Sequence, residues 1–259
     1  MRITNTAGIP GPVYDLITQD DYSRGDADIS VTQLRDSPRI RVLTKQNDHR
    51  LEIDASKMLA LTLGKAFHRA VEGATKTGVA ERRLSIEVLG WKISGGMDHY
   101  EDGVLSDYKT CNVFKMVYAD GGRIDEFSEQ LNVYAQILRE NGHPVTGLKI
   151  FALFKDWNRR GYNTAKKSGK LWVPWKQSGY PDKGWAHFDV PLWSEEKAKA
   201  YILKRVMLHQ AAEKAVPLCT EDEIWRGQRC STYCALGING FCEQYNKAKE
   251  TGLSQGEQE

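Results

Sequence analysis

Asp98, Asp107 and Lys109 are the residues whose types and spacing could do chemistry in this chain. They lie in Gly95-Gly96-Met97-Asp98-His99-Tyr100-Glu101-Asp102-Gly103-Val104-Leu105-Ser106-Asp107-Tyr108-Lys109-Thr110, where Asp102-Gly103 separates two alternating segments. Asp-Gly in that setting is a strong two-residue hairpin signal. Such a hairpin sets Asp98 directly opposite Asp107, with Cβ atoms roughly 4.5–5.5 Å apart. Side chains alternate along a strand, so Lys109 shares the face of Asp107 while Tyr108 points the other way. Two carboxylates that close repel each other, and Mg²⁺ or Mn²⁺ would relieve the repulsion through hard oxygen ligands. The chemistry suited to such a cluster is phosphodiester hydrolysis. The metal would polarise the phosphate and acidify a water, and Lys109 would orient that water or stabilise the transition state. The plain alternative is a solvated hairpin carrying a cross-strand Asp-Lys pair.

Other chemistry-bearing residues stand on expected helices. Gly64, His68 and Glu72 recur every four residues along one helical face. Gln130 and Tyr134 lie one turn apart within residues 125–141, flanking an expected buried stripe of Phe127, Leu131, Ala135 and Leu138. Four of the five cysteines, Cys219, Cys230, Cys234 and Cys242, fall within two dozen residues, separated by ten, three and seven residues. A disulfide framework does not suit a chain without a secretory signal, whereas clustered thiolates in a reducing compartment point to a metal. Four thiolates suit either a closed zinc tetrahedron or an iron–sulfur cluster. Cys111 reads as a strand or core thiol.

Asp98 followed by Asp107-Tyr108-Lys109, with Gly64-Lys65-Ala66-Phe67-His68 upstream and Gln130-Leu131-Asn132-Val133-Tyr134-Ala135 downstream, resembles the PD-(D/E)XK nuclease superfamily, and within it the RecB-like branch. The resemblance runs from about Ser30 to Cys242. It implies that Asp98 and Asp107 bind the catalytic metal, that Lys109 is the catalytic lysine, and that His68 and the Tyr108 carbonyl are further ligands. It also implies that Gln130 and Tyr134 bind substrate, and that Cys230, Cys234 and Cys242 are three ligands of a 4Fe-4S cluster. In those relatives the first cluster ligand precedes the core, but no cysteine precedes Cys111 here, so Cys219 would have to supply the fourth. The implied activity is metal-dependent DNA hydrolysis, with exonuclease action favoured. An endonuclease of repair or CRISPR adaptation and a non-catalytic DNA-binding module are the rivals. A recombinase, a helicase or a single-strand-binding protein are the partners such an enzyme would have.

Length and composition suit this plan. At 259 residues and 41% hydrophobic content the chain can bury a substantial core. The formal net charge is only +2, so a nucleic-acid surface would need local segregation of basic residues. Two runs offer it: Arg35, Arg39, Arg41 and Lys45, and then Lys155, Arg159, Arg160, Lys166, Lys167 and Lys170, interleaved with Trp157, Tyr162, Trp172 and Trp175. The second run reads as a Gly-containing loop. No apolar run is long enough for a membrane span and no secretory h-region is present, which predicts a soluble cytoplasmic protein of a bacterial or phage-infected cell.

The expected fold is α/β, with a restriction-endonuclease-like core, a central mixed β-sheet flanked by helices, and a C-terminal Cys-rich metal-binding element. Residues 1–29 form an irregular arm, 30–215 the nuclease domain, 216–245 the four-cysteine element and 246–259 a disordered tail. A short helix begins near Ser30, and Ser56 caps the helix carrying His68. Leu84 to Leu89, Lys92 to Tyr100, Val104 to Thr110 and Leu148 to Phe154 are the expected strands, with a peripheral hairpin of Lys170 to Trp175 and Trp185 to Val190. A long amphipathic helix from Ser194 to about Ala215 buries Tyr201, Leu203, Val206 and Leu208.

Overall fold

The computed structural model describes residues 1–19, 25–75, 77–113, 122–172 and 179–251, with the backbone alone at 79–82 and 122–126. In chain order the elements are β1 (Arg2–Thr4), α1 (Gly11–Thr18), β2 (Ile29–Ser30), α2 (Val31–Arg35), α3 (Pro38–Asn47), β3 (Glu52–Asp54), α4 (Leu59–Ala74), β4 (Val79–Val88), β5 (Trp91–Glu101) and β6 (Val104–Cys111). They continue with α5 (Gly122–Glu140), β7 (Gly147–Phe154), α6 (Arg159–Lys167), β8 (Trp185–Val190), α7 (Glu195–Lys214), α8 (Glu221–Ile224), α9 (Gln228–Thr232), α10 (Ala235–Ile238) and α11 (Glu243–Glu250). The chain divides into two compact units: Leu63–Ile202, and Met1–Thr62 together with Leu203–Glu259.

The unit Leu63–Ile202 is built on a mixed sheet. β4, β5 and β6 form an antiparallel meander, β7 joins β6 in parallel, and β8 closes on β7 antiparallel. Two tight turns set the meander. Leu89 and Gly90 (φ 51° and 74°) link β4 to β5, and Asp102 and Gly103 (φ 47° and 81°) link β5 to β6. Both central residues have positive φ, the requirement of a type I′ hairpin whose twist matches its strands. The second turn is also packed: a Cβ on Gly103 would stand 2.7 Å from Thr146 Oγ1. The turn carbonyl of Gly103 accepts from the Thr146 and Gly147 amides at the start of β7.

α5 lies against β4, β5 and β6. A single apolar stripe was expected on it, but every residue from Leu131 to Leu138 is buried. A helix covered on all sides needs no amphipathic period, and a polar member such as Asn132 finds protein partners. Asn132 donates to the Ser128 and Pro191 carbonyls and accepts from the Trp193 amide. The order helix, three-strand meander, helix, parallel strand is thus the α/β mixed-sheet architecture expected.

In the unit formed by the two chain ends, Ser30 caps α2 in a capping box with Gln33. The carbonyls left open at the end of α2 are taken from α7, where Arg205 donates to Leu34 and Asp36 and His209 meets the Leu34 carbonyl at 3.1 Å. Cys234, Leu236 and Cys242 form a small core with Leu51.

Several expectations are corrected. The arm is not irregular, because Arg2–Thr4 pairs in parallel with Glu52–Asp54 and Pro12 opens a helix at its first turn. Asp54, not Ser56, is the cap before α4; its carboxylate accepts from the Ser56 amide and from Thr6. Residues 159–167 are helical, with Asn158 as cap, because a capped nine-residue segment tolerates one glycine. β8 pairs with β7, and Leu171 meets Tyr180 in an isolated bridge, so among the described residues the expected hairpin partner of β8 is replaced by β7; residues 173–175 of that hairpin lie outside the described residues. On α7 the buried stripe is Ala198, Ile202, Val206, His209 and Ala212, while Leu203 and Leu208 are exposed; the 3.6-residue period runs through a histidine that composition reads as polar. Residues 246–250 of the expected tail are helical, and 252–259 lie outside the described residues, as does Trp175. No described helix is long and apolar enough to cross a membrane.

Candidate active site

The strand register joins His99 to Ser106, Tyr100 to Leu105 and Glu101 to Val104 across the Asp102-Gly103 turn, so the next step along it sets Asp98 against Asp107. Here the ladder gives way to side-chain bonding. Asp98 Oδ2 accepts the Tyr108 backbone N–H at 2.6 Å, and Asp98 Oδ1 stands 3.2 Å from His68 Nδ1 on α4. Asp107 is 4% exposed, and Lys109 Nζ lies 2.6 Å from its Oδ2. That oxygen has the cation beside it but no well-directed hydrogen-bond donor. Burial raises the Asp107 carboxyl above the usual range; Lys109 opposes the rise, the Asp98 charge adds to it and His68 opposes it. Tyr108 is raised as well, by burial and then by Asp98 and Glu101, which keeps its phenol protonated at neutral pH.

The helices reach the hairpin at defined points. Gly64 on α4 passes Thr110 so closely that an added Cβ would lie 3.3 Å from its Oγ1, and His68 follows one turn later at Asp98. Phe127 on α5 lies beneath Lys109, with the ammonium 5.3 Å from its ring centroid. One turn further, Gln130 donates to the Tyr134 hydroxyl at 3.1 Å and Tyr134 is buried. Sequence reasoning therefore gathered His68, Asp98, Asp107 and Lys109 into one cluster and joined Gln130 to Tyr134. It missed Phe127 as the floor of the lysine, although its spacing of three residues before Gln130 was visible. Glu72, on the helical face of Gly64 and His68, is exposed.

A buried carboxylate with an undirected oxygen, next to a second carboxylate and an imidazole, is a donor set that suits Mg²⁺ or Mn²⁺. Among the described residues no three His, Cys, Asp or Glu side chains already stand in a metal-coordinating array. His68 is instead paired with Asp98, and Lys109 with Asp107.

In the other unit, Cys219, Cys230, Cys234 and Cys242 line one cavity of about 450 Å³, together with Arg39 and Arg229. All four are free thiols. Burial, then the neighbouring sulfurs of Cys234, Cys242 and Cys219, pushes the Cys230 thiol up to about 11. Cys219 is also raised by burial and shares a 3.3 Å contact with the Ser37 hydroxyl. Gly237 lets this loop close, since a Cβ there would meet the Cys230 carbonyl at 2.3 Å. The first basic run serves this unit internally: Arg39 donates to the Pro217 carbonyl, and Arg41 binds His209 and Glu213. Arg39 and Arg41 are therefore taken up inside the unit, and Lys45 is the exposed member of the run.

No family model matches the chain, and no curated protein matches it. Among solved structures it is similar to the crystal structure of a "Putative exonuclease" from Eubacterium rectale, at 16% identity and a TM-score of 0.36. The match covers 68% of this chain and 62% of that one, so this chain spans less than two thirds of that protein's length.

Proposed function

We propose that this chain is a divalent-metal-dependent nuclease that hydrolyses DNA phosphodiester bonds, acting from ends as an exonuclease. The observation that carries the reading is the buried Asp107 carboxylate, raised by burial, set beside Asp98 and paired with Lys109. Asp98, Asp107, His68 and the Tyr108 carbonyl would hold the metal. When bound, Mg²⁺ or Mn²⁺ supplies Lewis acidity toward the phosphate and acidifies a water. The chain's own groups do the rest. Asp107 provides a desolvated anion, Asp98 is oriented by the Tyr108 amide, and His68 fixes the second Asp98 oxygen. Lys109, held between Asp107 and the Phe127 ring, places a positive charge where the phosphorane charge develops. Gln130 and Tyr134 would position the substrate strand.

The four cysteines would hold a resident structural metal, with Cys219 as fourth ligand. A zinc tetrahedron draws its sulfurs in at about 2.3 Å each and leaves little void. A cavity of about 450 Å³ lined by all four cysteines leaves room for a 4Fe-4S cluster, which is bulkier than a single zinc ion.

The test uses end-labelled linear single- and double-stranded DNA and closed circular DNA, with Mg²⁺ or Mn²⁺ against chelator and Lys109→Ala as control. Metal-dependent loss of linear DNA alone supports the exonuclease and gives its polarity. Cutting of circles makes it an endonuclease, and binding without cleavage in any metal defeats the enzymatic reading. Iron, acid-labile sulfide and zinc assays on protein purified without oxygen decide the cluster.

A further inference from the structure

The run from Lys155 to Lys170 holds six cations and one acid, whereas the whole chain carries a net charge of only +2. All six, Lys155, Arg159, Arg160, Lys166, Lys167 and Lys170, are exposed, and among the described residues none forms an ion pair. Helix stability does not explain them all. Lys166 and Lys167 suit the last turn of α6, but Arg159 and Arg160 occupy its first turn, without an acid there, where the helix dipole disfavours positive charge.

The helix is also fixed in place. Tyr180 shares hydrogen bonds with the Asn158 backbone, and its ring fills the space over Gly161, where a Cβ would stand 2.6 Å from the hydroxyl. Trp157 donates to the Pro181 carbonyl and packs on the core around Phe154, so it anchors the helix. Trp157 and Tyr180 are therefore supports, and Arg160, Lys166 and Lys167 stand at exposed positions of the helix.

Its position is set by the strands that carry the candidate active site. β6 and β7 run in parallel and finish together at Cys111 and Phe154. The Lys155 amide donates to the Cys111 carbonyl and Asp156 accepts from the Val113 amide. Asp107 precedes Cys111 by four strand residues, about 13 Å. Along α6, Arg160 and Lys167 are seven residues and about 10 Å apart, roughly three nucleotide rises measured along a duplex axis.

We propose that the outward side of α6 is a phosphate-tracking surface that holds the DNA backbone beyond the scissile bond. The choice of DNA rests on the nuclease reading. Recognition is electrostatic and sequence-independent, and it makes binding steeply salt-dependent.

The test is fluorescence anisotropy of labelled single- and double-stranded 20-mers with the full chain in chelator, so that hydrolysis plays no part. Wild type is compared with Arg160→Gln/Lys166→Gln/Lys167→Gln, in which glutamine preserves helix propensity. Charge-preserving Arg160→Lys/Lys166→Arg/Lys167→Arg is the control. The neutralised variant should bind ten-fold or more weakly at moderate salt, with the slope of log K against log salt flatter by about 2–3. The control should retain both. Unchanged affinity and slope in the neutralised variant would overturn the surface, even if Lys109→Ala abolishes cleavage and the nuclease reading stands. Absence of cleavage in any metal, with the same loss of binding, would end the nuclease reading and leave the surface in place. Wild-type protein that binds anionic phospholipid vesicles but not DNA would overturn it.

Discussion

Tyr108 donates its backbone N–H to Asp98 Oδ2 across the hairpin, at 2.6 Å, where a strand ladder would bond backbone to backbone. Asp98 therefore has a structural task that its charge does not define. Asp98→Asn keeps an acceptor for that amide and should unfold in urea within about 0.5 kcal/mol of wild type. Asp98→Ala strands the donor and should cost about 1–3 kcal/mol. Both should lower metal-dependent cleavage at least a hundred-fold. Retained turnover in Asp98→Asn would remove Asp98 from the site.

Asp107 carries a carboxyl raised by burial. Its charged form is therefore a cost to the folded chain, absent below the ordinary carboxylate range and growing as pH rises through the raised value. A bound cation offsets that cost. Mg²⁺ or Mn²⁺ at pH 7.5 should raise the melting temperature of wild type and leave Asp107→Asn unmoved, while Asp107→Asn without metal should melt at or above wild type. A full metal-induced shift in the variant would place the ion elsewhere.

His209 is fully buried between the Arg41 guanidinium and the Leu34 carbonyl, and burial lowers it to about 4. Its folded value lies below the unfolded one, so its full contribution is present above about pH 6.5 and is lost as pH falls toward 4, because the unfolded chain binds the proton first. The loss approaches about 3 kcal/mol at the acid end. Urea midpoints should fall between pH 6.5 and 4, and a His209→Gln variant should show a shallower decline over that window. Parallel pH curves would refute the assignment.

Gly237 and the Cys230 carbonyl are too close to admit a Cβ, which would lie at 2.3 Å. Gly237→Ala should destabilise the protein by about 2 kcal/mol or more. It should also lower the iron or zinc retained after gel filtration. The raised Cys230 thiol gives the same site a proton competitor, so metal retention should fall as pH is lowered. Metal content indifferent to both changes would detach the cysteines from any metal.

The meander and its carboxylates were legible because an Asp-Gly pair between alternating segments fixes a register, and a register fixes which side chains meet. A short helix was expected near Ser30 from the resemblance, and the capping box that starts it joins residues only three apart. What the sequence concealed depends on distant partners. The N-terminal strand exists because Glu52–Asp54 is there to pair with it, and the Asp54 carboxylate that caps Ser56 is also bonded by distant Thr6. The burial of Asn132 could not be read from polarity, because its partners come from distant Pro191 and Trp193. α6 was hidden by its glycine, whose small size is used by the ring of Tyr180.

The two hairpin turns of the meander differ in what lies over them. Gly90 has open space around it, whereas Gly103 is pressed against Thr146 and its carbonyl holds the first amides of β7. An epitope or fluorophore-binding peptide spliced in at Leu89-Gly90 would project into solvent and leave the sheet registers as they are. The same graft at Asp102-Gly103 would shift β5 against β6 and release β7 from its starting point at once. The first turn is therefore the place to attach a reporter, and the second is a single joint that holds three strands in step.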